Sequence, residues 1–430
     1  MKKITPNPQL PRLHALASAF ALSMAAMAPS VWATEGYFMH GYGARQTALA
    51  GAGVADSNDA MALSLNPAGI VDAPGELQIG ASVLSPHRSF TGSGGPGFTP
   101  GGEVKSGQNY TFIPNVAYAR PLDDRSAFAV AVYGNGVNTN YPEVANPACG
   151  EGSGVYCGGR AGVNLTQVFF ALGYAHRISD NLSLGLAPMF ALQTFKADGL
   201  GAFAPFSSDP AHLSNNGLDT STGFGLRIGA ELALSPRFRL GAAYQSRFNM
   251  SRFEKYAGLF EGHGAFDIPS NWTLGAAFDV MPDITAMLDY RRIKYTDVPA
   301  AADASTKPAP LGSSGGPGFG WKDVGVAELG VEGKADARWT WRAGAAFNGT
   351  PIRSENVTLN ILAPAVQKQH YTFGLTWRPA QSDGVDFAFM YSPSANVSGI
   401  EVTPNGPNPG HRIDLQMHQF EATLGWTRRF

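Results

Sequence analysis

Fourteen stretches of this chain alternate apolar with small or polar residues, while no stretch of eighteen residues is apolar throughout. That pair of facts limits the fold more than any single motif. Side chains of a β-strand point to opposite faces with a period of two, so each stretch reads as a strand with one apolar face. Trp272, Leu274, Ala276, Phe278 and Val280 alternate with Asn271, Thr273, Gly275, Ala277 and Asp279. Phe224, Leu226, Ile228, Ala230, Leu232 and Leu234 stand opposite Gly225, Arg227, Gly229 and Glu231, and Tyr371, Phe373, Leu375 and Trp377 opposite Thr372, Gly374, Thr376 and Arg378. Trp339, Trp341, Ala343, Ala345 and Phe347 repeat the pattern. A soluble sandwich has the same period but rarely needs so many strands backed by glycines and charges. A closed barrel that turns its apolar face to lipid does.

The alternation predicts strands over 76–87, 107–119, 126–138, 162–177, 182–197, 219–234, 237–248, 264–280, 284–296, 322–332, 337–349, 367–378, 384–392 and 413–430. Short turns at Pro121-Leu122-Asp123-Asp124, Ser179-Asp180, Ser235-Pro236, Met281-Pro282, Lys334-Ala335-Asp336 and 380–383 alternate with long segments at 88–106, 139–161, 198–218, 249–263, 297–321, 350–366 and 393–412. Short turns at one end and long loops at the other are the habit of outer-membrane barrels, and an even strand count leaves both ends of the wall on the short-turn side. The fold expected is all-β: a fourteen-stranded antiparallel transmembrane barrel over 76–430. The chain ends on Phe430, with Trp426, Leu424, Ala422 and Phe420 on the same face. Arg428 interrupts that face at a level where its charge can snorkel. Trp339, Trp377 and Phe238 lie beside short turns, as an aromatic girdle does.

Charged residues make up only 15% of the chain and the formal charge is −2, which leaves no basic patch for nucleic acid. The first 33 residues read as an export signal: Lys2, Lys3 and Arg12, a short apolar core over 15–28, then Val31-Trp32-Ala33, with cleavage expected after Ala33. An N-terminal anchor is disfavoured by the shortness of that core and by Pro29. Cys149 and Cys157 bracket a Gly-rich loop, and in an exported protein they read as a disulfide.

Residues 34–75 fit neither a strand nor a long helix. The segment is rich in Gly and Ala, carries Tyr37-Phe38 and Leu63-Leu65 as apolar bulges, and contains Asn66-Pro67-Ala68. It is expected to sit inside the wall as a plug. By itself Asn66-Pro67 is an ordinary turn marker. Two loops are unusually apolar: 198–218 carries Leu200, Phe203, Phe206 and Leu213, and 249–263 with its flank carries Phe248, Met250, Phe253, Tyr256, Leu259 and Phe260. Exposed apolar surface marks a binding site, although these side chains also serve to pack the loops on each other. Arg247, Arg252 and Lys255 stand near and are candidates to hold a carboxylate.

Other motifs fail on context. Gly92-Ser93-Gly94-Gly95-Pro96-Gly97 matches a dinucleotide fingerprint by letters but has Pro96 inside it and no helix after it. Gly312-Ser313-Ser314-Gly315-Gly316 lacks the strand-to-helix setting of a nucleophile elbow. The nine histidines show no metal-binding spacing, and neither a metal nor a cofactor is expected.

The ordered set of Gly53-Val54-Ala55-Asp56, Asn66-Pro67-Ala68, Ile113-Pro114-Asn115 with Pro121-Leu122, Trp321-Lys322-Asp323, Leu329-Gly330, Trp341-Arg342-Ala343-Gly344 and Thr350-Pro351 resembles the FadL/TodX-type long-chain fatty-acid transporters of the outer membrane. The resemblance covers nearly all of the mature chain. It implies a fourteen-stranded barrel whose N-terminal hatch fills the lumen, in the outer membrane of a Gram-negative bacterium. It also implies passive uptake of long-chain fatty acids or other hydrophobic molecules. Cargo would be captured in an outer groove, held in a pocket where Tyr37 (with Phe38 beside it) matches the family's aromatic, and released sideways at a kink in the third strand. Asn66, Pro67 and Ala68 match the hatch motif near that opening, and the kink is expected near Gly134 or Gly136, since a glycine within a strand often marks a bend. The chain is then no enzyme. Its surroundings are outer-membrane lipid, lipopolysaccharide or phospholipid, and a monomer is expected. The alternatives are a surface receptor or adhesin, and an outer-membrane enzyme acting on lipid. Neither of these needs a forty-residue plug.

Overall fold

A computed structural model describes residues 35–430; the export signal and its cleavage position lie outside the described residues. Fourteen strands form the wall: β1 (Glu76–Gly94), β2 (Thr111–Pro121), β3 (Ser126–Asn138), β4 (Gly162–Ser179), β5 (Leu182–Asp198), β6 (Asp219–Ser235), β7 (Phe238–Gln245), β8 (Asn271–Met281), β9 (Ile284–Ile293), β10 (Val324–Lys334), β11 (Trp339–Asn348), β12 (Gln369–Trp377), β13 (Asp383–Thr403) and β14 (Gly406–Arg429). Each pairs antiparallel with the next, and β14 pairs back onto β1 from Glu76↔Arg429 to Gly94↔His411, which closes the ring. Closure leaves no strand edge in lipid, where an unpaired backbone group is costly.

The apolar faces point outward as the alternation requires. Phe224, Leu274, Phe373 and Leu424 are exposed on the outside, while Arg227 and Thr372 on the opposite faces are buried. At the short-turn end Trp339 stacks on Trp377 with ring centroids 6.2 Å apart, and Tyr118 meets Phe430 at 6.2 Å. Nearer the long-loop end, Tyr391 stacks on Phe420 at 5.1 Å and Phe347 meets Tyr371 at 6.2 Å. These are the two aromatic belts of a membrane barrel. Arg428 is not left to snorkel alone, since its Nη1 lies 2.7 Å from Asp383 Oδ2.

Three expectations need correction. Segment 393–412 is no loop: β13 and β14 run on as one long ribbon around a two-residue turn at 404–405. Pro404, Pro407 and Pro409 made it read as irregular, yet Val402 still pairs with Pro407 and Thr403 with Gly406, whose φ of +112° suits glycine. Likewise β1 continues through Gly94, and Gly102–Lys105 folds back on it. Finally, β7 stops at Gln245, so Phe248 lies beyond the strand and bridges to Ile268.

Candidate functional site

Residues 35–74 lie inside the ring. They form a short helix, Gly43–Ala48, and two 3₁₀ turns, Ala60–Ser64 and Pro67–Val71, with almost every side chain buried. Their polar backbone needs partners there, and the wall supplies them from strands all around. Asp289 Oδ2 on β9 accepts from the Gly53 and Val54 N–H groups at 2.7 Å each. Thr372 on β12 donates to Ala48 O at 2.7 Å, Glu76 on β1 accepts from Ala60 N at 2.9 Å, and Arg227 on β6 donates to Leu65 O at 3.0 Å. Asn66 caps the turn that Pro67 opens: its Oδ1 accepts from Ala68 N at 3.1 Å, and its Nδ2 donates to Val54 O at 2.7 Å and to Ala230 O of β6 at 3.1 Å. A turn dipeptide therefore also ties the segment to the wall.

The glycines on the inner face of the wall are where that segment fits. A Cβ at Gly229 would lie 1.8 Å from Asn66 Oδ1, at Gly185 2.3 Å from Ala68 N, at Gly241 2.1 Å from Val54 O and at Gly173 2.1 Å from a Leu63 methyl. At Gly344 and Gly374 a Cβ would lie 2.5 Å from Leu49 C and from Ala48 Cβ. Gly229 and Gly185 are direct neighbours across β6 and β5, so the groove they leave is continuous.

Charge holds the segment as well. Arg291 of β9 lies 2.6 Å from Glu35 Oε2 and 2.8 Å from Glu328 Oε1, with all three side chains buried, and it donates to His40 O at 3.1 Å. Glu35 Oε1 lies 2.6 Å from His40 Nδ1. Arg45 bridges Asp56 and Glu332 at 2.9 Å each. Replacing Arg291 by Met strands two buried carboxylates, a loss of about 3–5 kcal/mol. We expect the Arg291→Met barrel to stay closed while limited proteolysis cuts within residues 35–74, where the wild type resists. Equal resistance would show that the pairing is dispensable.

Above this segment lies an aromatic cavity of about 20 Å³, lined by Tyr37, Phe260, Phe266, Phe319 and Trp321 with Val137, Val163, Leu165, Phe195, Ala301 and Ala363. Tyr37 meets Phe38 at 5.5 Å, Trp321 at 5.9 Å, Phe266 at 6.0 Å and Tyr295 at 5.3 Å, and its N–H donates to Tyr295 Oη at 3.2 Å. Phe253 joins this group through Phe260 at 6.1 Å, and Phe248 packs on Phe169 at 5.5 Å. Phe203 and Phe206 lie elsewhere, in a groove of about 370 Å³ at the long-loop end, whose other walls are 305–311 and the β13–β14 turn. The aromatics that the sequence reading missed are Phe195, Phe266, Tyr295, Phe319 and Trp321. Only Trp321 carried a signal, as part of the Trp321-Lys322-Asp323 match.

The three candidate cations line neither cavity nor groove. Arg247 is paired with Asp267, Nε to Oδ2 at 2.7 Å; Lys255 Nζ donates to Leu218 O at 2.7 Å; Arg252 is exposed and has no partner among the described residues. Cys149 and Cys157 are joined by a disulfide in the 139–161 loop.

The wall is incomplete beside the cavity. β2 and β3 pair only from Val116↔Val132 to Pro121↔Ala127. Beyond that, residues 133–138 pair with β4 alone, and Gly136 N turns inward to donate to Tyr37 O at 3.3 Å. Asn135 of the same stretch accepts from Tyr42 Oη at 2.5 Å and Met39 N at 3.3 Å, and Val137 lines the aromatic cavity. The unpaired stretch contains both Gly134 and Gly136. Below the plug, a cavity of about 530 Å³ opens at the short-turn end and is walled by charge, with Arg45, Arg342, Arg378 and Arg429 against Asp59, Glu76, Glu332 and Asp386.

A closed fourteen-strand antiparallel barrel with aromatic belts and its own N-terminal segment inside has the architecture of a bacterial outer-membrane protein. Residues 22–427 match the family described as outer membrane protein transport protein (OMPP1/FadL/TodX). The chain belongs to that family; it is a transport protein of the Gram-negative outer membrane and not an enzyme. It is 23% identical to a long-chain fatty acid transport protein of Salmonella typhi, over 88% of this chain and 92% of that one, and 22% identical to its Escherichia coli K12 counterpart over the same shares. In fold it is similar to the Pseudomonas putida toluene transporter TodX, with a TM-score of 0.67 at 19% identity over 91% and 99% of the two chains. A Pseudomonas aeruginosa FadL homologue gives a TM-score of 0.68 at 16% identity over 92% and 100%.

Proposed function

We propose that this transporter carries small neutral hydrophobic molecules inward, and that residues 35–74 act as its hatch. Cargo is first held in the groove at Phe203 and Phe206, then in the cavity at Tyr37, Phe38 and Phe260, with Phe248 and Phe253 packing the wall behind. It leaves sideways where β2 and β3 are unpaired, at Gly134 and Gly136, with Asn66-Pro67-Ala68 fixing the hatch below. The observation that carries this reading is the apolar cavity abutting the gap in the ladder. A straight path downward would take an apolar molecule through the charged cavity under the plug, whereas the sideways path leads from aromatic side chains into lipid tails. The cavity is about the size of one water molecule, so cargo enters only as the aromatic side chains swing apart. A single barrel contains every part of this path, which fits a monomer embedded in outer-membrane lipid.

A second reading, long-chain fatty acids, is favoured by the relatives named above and by the unpartnered Arg252, which with Arg247 and Lys255 offers a carboxylate its charge. The test is uptake of labelled toluene and labelled oleate by cells lacking their own transporter. Toluene uptake without oleate uptake is the expected result; oleate alone overturns it. Arg252→Ala separates the two again: under the neutral-cargo reading it leaves toluene entry unchanged, and loss of oleate entry from cells that take up oleate establishes the carboxylate reading.

A further inference from the structure

We propose that the outer face of β1 and β14 carries a docking site for the phosphate of an outer-leaflet lipid, built on His87, His418 and Lys105. The inference is independent of the cargo and needs only that the barrel sits in the outer membrane.

The position comes from the strand geometry. On β14 the outward side chains are Trp426, Leu424, Ala422, Phe420 and then His418. Trp426 belongs to the lower aromatic belt. Phe420, stacked on Tyr391, belongs to the upper one, and six residues of strand between them span about 20 Å. His418 lies two residues further along the tilted strand, roughly 5 Å above the upper belt. That is the level of lipid headgroups and not of acyl chains.

The chemistry comes from what gathers there. His87 pairs directly with His418 across β1 and β14, and their rings stack at 4.7 Å with planes only 10° apart. Between the ribbon and the strand 102–105 lies an open groove of about 400 Å³, lined by both histidines, Lys105, Gln416, Asn109 and Ser394. The ring nitrogens of His418 have no hydrogen-bond partner among the described residues, and His87 has only a long contact, 3.3 Å, from Nε2 to Ser85 Oγ. Lys105 Nζ lies 3.3 Å from Glu103, the single carboxylate lining the groove. Both side chains of that pair are largely exposed, so the pairing is weak and the ammonium is free to turn to a better anion. Asp414, on the same face, is already held by Ser398 at 2.7 Å and Asn396 at 3.2 Å. Polar donors surround a cleft with little negative charge of its own, in a place where the surrounding solvent is phosphate-bearing lipid. A phosphate accepts from such donors, and the bond from Lys105 is charge-assisted.

The experiment uses the full-length protein purified in detergent. Binding of lipid A bearing both phosphates, of dephosphorylated lipid A and of inorganic phosphate is measured by native mass spectrometry. The wild type and the variant H87Q/H418Q/K105Q are compared, after heat-modifiable gel migration has shown that both are folded. We expect phosphorylated lipid A to bind the wild type at least about tenfold more tightly than the variant, and neither dephosphorylated lipid nor inorganic phosphate to share that difference. Equal binding of dephosphorylated lipid, or equal binding by the variant, overturns the proposal. Inorganic phosphate showing the same preference overturns the lipid as its source. If the triple variant does not fold, K105Q alone, a single exposed change, is read in the same way.

Discussion

Replacing Gly229 by Val is expected to open the channel to water while leaving the barrel intact. The new side chain begins 1.8 Å from Asn66 Oδ1 and 2.9 Å from Pro67 Cδ, and neither can recede, because Asn66 is bonded to Val54 and Ala230 and caps its own turn. Overpacking of this kind costs about 1–3 kcal/mol. The alternative open to the molecule is to release the plug from β6 and keep the strand pairings, which are far more numerous. Gly185→Val on the adjoining strand presses on the same turn and adds to the effect. The check is conductance in planar bilayers, or uptake of a small hydrophilic dye: both rise well above the wild type. Gly349→Ala, with nothing within 4 Å of the new methyl, changes neither. A tight channel with Gly229→Val in a folded barrel would mean that the plug does not depend on this contact.

Gly134 and Gly136 replaced together by Val should abolish uptake of hydrophobic cargo. These two positions lie in the stretch of β3 that pairs only with β4, where the Gly136 N–H donates to Tyr37 O. Valine stiffens a strand and favours the regular pleat, whereas glycine weakens it. The substituted β3 is expected to straighten and take up its missing pairing with β2, sealing the wall beside the aromatic cavity. Uptake by cells should fall to the level of cells lacking the protein, with the barrel present in the outer membrane at wild-type amounts. Undiminished uptake from such a barrel would exclude the sideways exit. The two substitutions act oppositely, one making a leak and the other a seal, so general misfolding cannot imitate both.

The loops were the least legible part of the chain. Phe260 and Tyr37 were each picked out, but nothing in their spacing says that they face each other across one cavity, or that Phe203 does not. Phe195, Phe266, Phe319 and Trp321 complete that cavity from three separate segments, a convergence with no local period to betray it. The β13–β14 ribbon is hidden in the sequence for a related reason. Prolines at 404, 407 and 409 speak for irregular backbone, and only the pairing with a neighbour reveals that the missing N–H groups fall where the ladder tolerates them.

What the sequence determined by itself is the wall. Two-residue alternation is a local property, repeated in strand after strand, and in lipid a polar backbone has no other way to satisfy itself than a closed ring. The tertiary structure decided what the wall encloses. Gly173, Gly185, Gly229 and Gly241 are, in sequence, merely small residues on the polar face. Their purpose is fixed by Leu63, Ala68, Asn66 and Val54, which reach them only once the ring has closed around the N-terminal segment. The break between β2 and β3 belongs partly to the same level: Gly134 and Gly136 mark where the strand is weak, but that the ladder to β2 is lost there and the ladder to β4 kept shows only in the pairing.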